Sequence, residues 1–96
     1  MSKFLVIWSL EPARLGNEAV KAVFSMPEYA ARLHKEGKLE RRYHIVGRHG
    51  GAWIYSVDSN EELERLLAMS PVYNLASYDV YPLAEMTDPQ AAASAT

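Results

Sequence analysis

The sequence predicts an α+β domain of β-α-β-β-α-β order with a four-stranded antiparallel sheet. Three observations support this fold class. The chain has 96 residues, a length that suits one domain. Its apolar residues change between strand spacing and helix spacing in six successive segments. It has no cysteine, so neither disulfides nor cysteine-ligated metals define the fold.

The first strand is predicted at Lys3 to Leu10, which is rich in β-branched and aromatic residues and ends before Glu11-Pro12. Both faces of this strand are apolar. One face carries Leu5 and Ile7, and the other carries Phe4, Val6 and Trp8. Because two helices cover only one face of a four-stranded sheet, we expect the other face to pack against a second copy of the chain.

The first helix is predicted from Gly16 to Glu36, where the apolar spacing is helical. Ser25-Met26-Pro27-Glu28 resembles a capping box, so we expect a separate or kinked helix to begin there. Gly37 is the expected stop, with His34 and Lys35 in the last turn. The apolar stripe consists of Ala19, Val20, Val23, Phe24, Tyr29, Ala30 and Leu33.

A β-hairpin is predicted next. Its first strand runs from Leu39 to Gly47, and strict alternation places Leu39, Arg41, Tyr43 and Ile45 on one face and Glu40, Arg42, His44 and Val46 on the other. Gly50-Gly51 is expected to supply the positive φ of the hairpin turn. The third strand is predicted at Ala52 to Val57.

The second helix is expected to begin at a cap, Asp58 or Ser59, and to end at Ser70-Pro71. Its apolar stripe is Leu63, Leu66, Leu67 and Met69. The last strand is predicted at Tyr78 to Leu83, at an edge that tolerates Pro82. The element order is that of a ferredoxin-like subunit. We expect the domain to span residues 1–85 and residues 86–96 to form a flexible tail or one that crosses a partner.

Composition and motifs exclude several function classes. The net charge is -2 with basic and acidic residues mixed, so we expect no nucleic-acid partner. No apolar run is long enough to cross a bilayer and no secretory signal begins the chain, so we expect a cytoplasmic protein without a membrane partner. No hydrolase elbow, phosphate loop, dinucleotide fingerprint or metal motif is present, so we expect no cofactor and no metal.

Polar and aromatic residues are concentrated in one stretch, which is the candidate site. Arginine binds carboxylates bidentately, and histidine or tyrosine moves a proton or polarises a carbonyl, so the set suits a small anionic, enolisable molecule. The stretch comprises Arg41, Arg42, Tyr43, His44, Arg48 and His49, followed by Trp53 and Tyr55.

Each of these residues also has a structural interpretation. Arginines on a strand are commonly a solvated surface, His44 suits a hydrogen-bonded core position, and His49 beside two glycines suits a turn. Trp53 and Tyr55, like Trp8, suit sheet packing. His44 and His49 lack a matched carboxylate, which argues against a metal site. The remaining aromatic candidates, Tyr73 and Tyr78, flank the start of the last strand.

The sequence from about Glu28 to Leu83 resembles the muconolactone delta-isomerase family, within the dimeric α+β barrel group. The resemblance rests on these segments: Ala31-Arg32-Leu33, Lys35-Glu36-Gly37, Ile45-Val46-Gly47, Val57-Asp58-Ser59, Leu63, Leu67, Ser70-Pro71 and Val80-Tyr81-Pro82-Leu83. It implies subunits whose sheets pack face to face, and cofactor-free movement of a proton in an unsaturated lactone bearing a carboxylate. The chain departs from the family pattern at Tyr43-His44, where a tryptophan-arginine pair is usual, and at Met86 to Pro89, where a histidine-proline pair is usual.

Our leading hypothesis is a cofactor-independent isomerase of a carboxylated unsaturated lactone. In it His44 moves the proton, Arg42 binds the carboxylate from the same strand face, and Tyr43 or Tyr78 shapes the pocket or stabilises an enolate. Trp53 and Tyr55 are the further substrate-binding candidates. Two alternatives stay open: a cyclase or cofactor-free monooxygenase of a secondary pathway, and a non-catalytic subunit that binds a small molecule or serves assembly.

Overall fold

The computed structural model describes residues 1–87, apart from the side chain of Arg14. These residues form four strands and two α-helices with one short 3-10 helix. Neither α-helix in this part of the chain has the length and apolar character needed to span a membrane. In chain order the elements are β1 (Ser2–Leu10), the 3-10 helix (Pro12–Arg14), α1 (Asn17–Lys35), β2 (Leu39–His44), β3 (Gly50–Val57), α2 (Asn60–Ala68) and β4 (Ala76–Leu83).

The strands form one antiparallel sheet in the order β2-β3-β1-β4, and both helices lie against the same face of it. On this helix-covered face, β1 contributes the buried Phe4, Val6, Trp8 and Leu10, while the intervening Leu5 and Ile7 are less buried. The predicted fold class, β-α-β-β-α-β with a four-stranded antiparallel sheet, is confirmed.

The hydrophobic core lies between this sheet face and the two helices. Burial of apolar side chains from all these elements supplies the stabilisation that a chain this short needs. The most deeply buried large side chains are Val6, Leu33, Val57 and Val72.

Helix α1 is continuous, so the predicted break at Pro27 is wrong. Ser25 does not cap a new helix, because its hydroxyl donates to the Lys21 carbonyl at 3.1 Å within the same helix. Buried residues on both sides of Pro27, including Ala19 and Leu33, hold the two halves against the sheet. Tertiary packing therefore offsets the backbone hydrogen bond that proline removes.

Part of the predicted apolar stripe of α1 is exposed. Val20, Val23 and Phe24 were expected to pack inward, but they are 52%, 38% and 79% exposed. In α2, Met69 is also exposed, since it is the C-terminal cap residue beyond the last turn. The three exposed side chains of α1 line an open groove that Leu10 and His49 also line.

The hairpin turn lies earlier than predicted. Gly50 and Gly51 belong to β3, and the positive φ of 82° is at Gly47. Both strand glycines are required by close packing instead. A Cβ on Gly50 would lie 2.0 Å from the Trp8 carbonyl oxygen, and one on Gly51 would lie 2.9 Å from the Tyr43 carbonyl oxygen.

Strand β2 contains a register irregularity that the strict alternation did not predict. Leu39 pairs with Tyr55, but Arg41 pairs with Ile54, so two residues of β2, Glu40 and Arg41, lie opposite the single residue Ile54 of β3. From there Arg42 pairs with Trp53. The bulge therefore puts Arg42 on the same face as Leu39, where alternation had placed them on opposite faces.

The start of α2 is fixed by reciprocal capping. The Ser59 hydroxyl accepts the Glu62 N–H at 3.0 Å, and the Glu62 carboxylate accepts the Asp58 N–H at 2.8 Å. Glu62 also pairs with Lys38 at 2.9 Å, which links α2 to the segment before β2. Of the two predicted cap residues, Ser59 is the N-cap.

The predictions for the C-terminal end of α1 agree with the structure. Gly37 has φ 74° after α1, and His34 and Lys35 lie in the last turn of that helix. The predicted tail at residues 86–96 lies outside the described residues from position 88 onward.

Candidate active site

A cleft of about 480 Å³ lies between α1 and the end of the sheet nearest the hairpin turn. Its floor is one row of the sheet: His44 of β2 pairs with Gly51 of β3, and Gly51 pairs with Trp8 of β1. Residues paired in this way share a face. Because Gly51 has no side chain, both indoles can lie close to its backbone: a Cβ there would be 3.0 Å from Nε1 of Trp8 and 3.2 Å from Nε1 of Trp53.

The next row of the sheet contains a positively charged side chain, that of Arg42. Arg42 pairs with Trp53, and its guanidinium carbon is 6.0 Å from the centre of the Trp53 ring system. A contact of this kind orients the guanidinium over the aromatic face. Arg42 and His44 therefore lie on one face of β2 at the cleft, as their i, i+2 spacing predicted.

The walls of the cleft are largely apolar. Helix α1 contributes Val23, Met26 and Pro27, and the sheet contributes the two indoles. The ring of Trp8 meets that of Trp53 edge to face, with centroids 6.4 Å apart. The buried Trp8 indole N–H has no hydrogen-bond acceptor among residues 1–87. Such a wall suits an unsaturated ring, and an anionic group would be held at the edge by Arg42.

The charge in the cleft is positive. No acidic side chain lines it, and within residues 1–87 Arg42 has no ion-pair partner. The guanidinium is therefore available to an anionic ligand. No group of three or more potential metal ligands occurs in the part of the chain that the structure describes.

The three tyrosines predicted for the site are placed differently from Arg42 and His44. Tyr43 lies between those two residues at the cleft edge, and strand alternation directs its side chain to the other face. Tyr55 and Tyr78 do not line the cleft. Burial raises the pKa of both hydroxyls above the ordinary tyrosine value. Their assignment to a substrate site stays a prediction.

Tyr55 and Tyr78 support the cleft indirectly. Tyr55 stacks on Trp53 with ring centroids 6.1 Å apart, and Tyr78 pairs with Trp8 across β1 and β4. Both contacts lie behind the two indoles that form the cleft wall. The aromatic residues that we predicted as ligand contacts thus divide into one that lines the cleft, Trp53, and two that pack behind it.

Sequence reasoning missed several lining residues. Trp8 was interpreted as packing, yet it lines the cleft, whereas His49, a member of the candidate stretch, lies in the turn as expected and also lines the cleft. Met26 and Pro27 also line it, although Pro27 was interpreted as a helix break. The useful signal was Gly50-Gly51, because adjacent glycines in a strand often mark a site where another group approaches the backbone.

Comparison with known proteins gives consistent matches. A family model described as muconolactone delta-isomerase matches residues 3–88. A muconolactone delta-isomerase from Cupriavidus pinatubonensis is 37% identical over 57 residues, which is 59% of this chain and 62% of that protein. The aligned region thus spans less than two thirds of the relative.

Two solved structures share the fold. A crystal structure of muconolactone isomerase superposes with a TM-score of 0.77 at 23% identity, covering 88% of this chain and 90% of the other. A 5-chloro-2-hydroxyhydroquinone dehydrochlorinase from Burkholderia phenoliruptrix, in complex with 2,5-dihydroxybenzoquinone, gives a TM-score of 0.66 at 14% identity and coverages of 88% and 95%. At these identities the likeness concerns the fold.

Proposed function

This chain belongs to the muconolactone delta-isomerase family, and from that premise we propose that it is a cofactor-independent isomerase of a small unsaturated lactone bearing a carboxylate. The observation that carries the proposal is the arrangement of Arg42 and His44 on one face of β2, at an apolar cleft without acidic residues. An anion site and a proton-transfer group thus lie beside a wall that suits a ring.

Each residue has a defined role in this proposal. Arg42 binds the carboxylate and fixes the orientation of the ring against Trp53. His44 removes a proton from a ring carbon activated by the conjugated carbonyl, because histidine is the side chain whose two protonation states are both populated near neutral pH. The electron pair of the broken C–H bond moves into the carbonyl, and a proton returns at a second carbon, so the double bond moves.

The first test is a proton NMR time course with muconolactone in deuterated water. We expect the double bond to move and deuterium to enter the product at the carbon that gains a hydrogen. His44→Gln should lower kcat by about 100- to 10,000-fold, the usual contribution of a general base. Unchanged turnover in this variant would remove His44 from the mechanism, and no turnover by the folded wild-type protein would reject the substrate class.

Arg42 has a matched control in its neighbour. Arg42→Met should raise KM by about 10- to 100-fold, since a hydrogen bond to a charged group contributes about 1.5–3 kcal/mol. Arg41→Met changes the same side chain on the opposite face of the strand and should leave KM unchanged. Equal effects of the two substitutions would contradict a specific anion site at Arg42.

We also propose that the chain forms a homodimer or a higher homo-oligomer through the sheet face that the helices leave uncovered. This face carries Leu5, Ile7 and Ile54 at its centre, with the 49% exposed Tyr81 beside them. A contiguous apolar surface of this kind is typical of an interface. Ile54→Asp should reduce the mass measured by sedimentation, whereas Val46→Asp, in the turn, should not. A monomeric wild-type protein would refute this assembly.

A further inference from the structure

Two histidines, not one, line the candidate active site. His44 is the last residue of β2, and His49 precedes β3. The Leu10 N–H donates to the His49 carbonyl at 2.8 Å, which extends the β1 and β3 pairing beyond Ser9 and Gly50. His49 is therefore a diagonal neighbour of His44 across β3 and β2. Such neighbours typically lie about 7–8 Å apart, a gap that a small ring can occupy.

The turn holds His49 in a fixed place. Arg48 donates its N–H to the Ile45 carbonyl at 3.2 Å, and Gly47 takes the positive φ of the turn. Gly50, directly after His49, lies so close to the Trp8 carbonyl that no Cβ fits. The hairpin is thus anchored on both sides of the histidine, and the His49 position follows from backbone contacts.

Both imidazoles are available for chemistry. Within residues 1–87, neither His44 nor His49 has a side-chain hydrogen bond or an ion pair. The third histidine of the chain differs, because the Nδ1 atom of His34 is 3.0 Å from the Leu39 carbonyl oxygen and His34 does not line this cleft. The cleft is therefore lined by two proton-transfer groups, each without a protein partner within residues 1–87.

We propose that His49 is the second catalytic residue, which delivers a proton to the lactone while His44 removes one; this rests on the proposed function. The neutral imidazole of His44 takes a proton as a ring C–H bond breaks, and the electron pair moves through the double bond into the carbonyl. The resulting dienolate takes a proton from the imidazolium of His49 at the other end of the conjugated system. The product is an isomer of the substrate, and the two histidines return to their starting forms by exchange with water.

Two histidines can divide the removal and the delivery of the proton between them. A single imidazole would have to move between two ring carbons during one turnover. Two imidazoles at different positions of the cleft can each stay within the heavy-atom distance of about 2.6–3.2 Å that proton transfer needs, one at each reacting carbon. The mechanism then requires one histidine neutral and one protonated, so the pH dependence of kcat/KM has both an acid limb and an alkaline limb.

The test compares His49→Gln with His34→Gln on muconolactone. We expect His49→Gln to lower kcat by about 100- to 10,000-fold and to abolish the alkaline limb while keeping the acid limb, because His49 acts in its protonated form. His34→Gln should match the wild type in both. With muconolactone deuterated at the departing position, the wild-type product made in ordinary water should contain no deuterium. Retained deuterium, or an unchanged kcat and pH profile in His49→Gln, would overturn the second role.

A saturated lactone bearing the same carboxylate separates this inference from the proposed function. NMR signals of the imidazole ring protons should shift for His44 and His49, and not for His34, when this compound binds. Normal turnover with no shift at His49 overturns the His49 role and leaves the isomerase standing. Shifts at both histidines without turnover of muconolactone overturn the isomerase and with it the proton transfer, while supporting His49 as part of the binding site. Neither shift nor turnover overturns both.

Discussion

The hydroxyl of Tyr29 joins the two helices and offers a sharp test of the packing. Tyr29 of α1 is buried and donates to the carbonyl oxygen of Leu66, in the last turn of α2. The last four carbonyls of a helix lack intrahelical donors. After this turn the Ser70 N–H goes to Leu67, so Tyr29 supplies the donor that Leu66 would otherwise lack.

Tyr29→Phe removes this donor and keeps the ring. The contact of the ring with Arg32, whose guanidinium carbon is 5.1 Å from the centroid, should remain. The substitution leaves a buried carbonyl unpaired, so the free energy of unfolding should fall by about 1–3 kcal/mol. In a domain of this size, each kcal/mol corresponds to a decrease in Tm of about 4–8 °C.

The assay is urea unfolding followed by tryptophan fluorescence, at one protein concentration because the proposed assembly contributes to stability. Tyr73→Phe is the control, since Tyr73 is partly exposed and its hydroxyl has no hydrogen bond within the described residues. It should change the free energy of unfolding by less than about 0.5 kcal/mol. Equal stabilities of the two variants would refute the reasoning.

The pH dependence of the free energy of unfolding provides a second test of the role of the Tyr29 hydroxyl. Burial is the main cause that raises the pKa of Tyr29, and Arg32 opposes it. The unfolded chain therefore loses this proton at lower pH than the folded protein, near pH 10. The protonated Tyr29 hydroxyl therefore stabilises the wild type below that pH, and this stabilisation should be lost as the pH rises above it. Tyr29→Phe has no hydroxyl and should not show this loss. The stability difference between the two proteins should therefore narrow in alkaline solution.

Two further predictions concern the sheet and the start of α2. Gly50→Ala should reduce the free energy of unfolding by about 1–3 kcal/mol, because its Cβ would overlap the Trp8 carbonyl. Gly16→Ala is the control: a Cβ there has open space, so it should cost less than about 1 kcal/mol in the same unfolding assay. Hydrogen bonding from the adjacent backbone and Lys38 lowers the pKa of Glu62, so its contribution to stability is present above the unfolded carboxyl pKa and is lost as the pH falls through the folded value. Glu62→Gln should therefore destabilise the protein at neutral pH and not at pH 2; an equal loss at both values would contradict this origin.

The fold was predictable from the sequence because its signals are local and redundant. Strand β1 combines dense β-branched and aromatic residues with a proline stop, and α2 combines a serine cap with a leucine stripe. Each element could be recognised without knowledge of the others. Errors occurred where a local signal met a tertiary constraint. The capping pattern at Ser25 predicted a helix start, but tertiary packing keeps α1 continuous there. Gly50 and Gly51 are required by the close approach of neighbouring strands and not by a turn.

The site was only partly predictable. Arg42 and His44 could be placed together, since residues two apart in a strand share a face. The contribution of Trp8 depends on the register that pairs it with Gly51, because this pairing puts Trp8 in the same row of the sheet as His44. The wall formed by Met26 depends on where α1 crosses the sheet. A single sequence contains no direct measure of either relation, so these residues became visible only in three dimensions.

The irregular pairing between Leu39 and Arg41 has a consequence for how this protein could diversify. The residues after it alternate between the cleft and the uncovered sheet face, so the pairing at the bulge decides which of them line the cleft and which lie on the uncovered face. Deleting one residue there would leave one residue of β2 opposite each residue of β3, with Leu39 still opposite Tyr55 and Arg42 still opposite Trp53. The strand can therefore lose one residue at this position while Arg42 and His44 stay at the cleft and Tyr43 stays on the uncovered face.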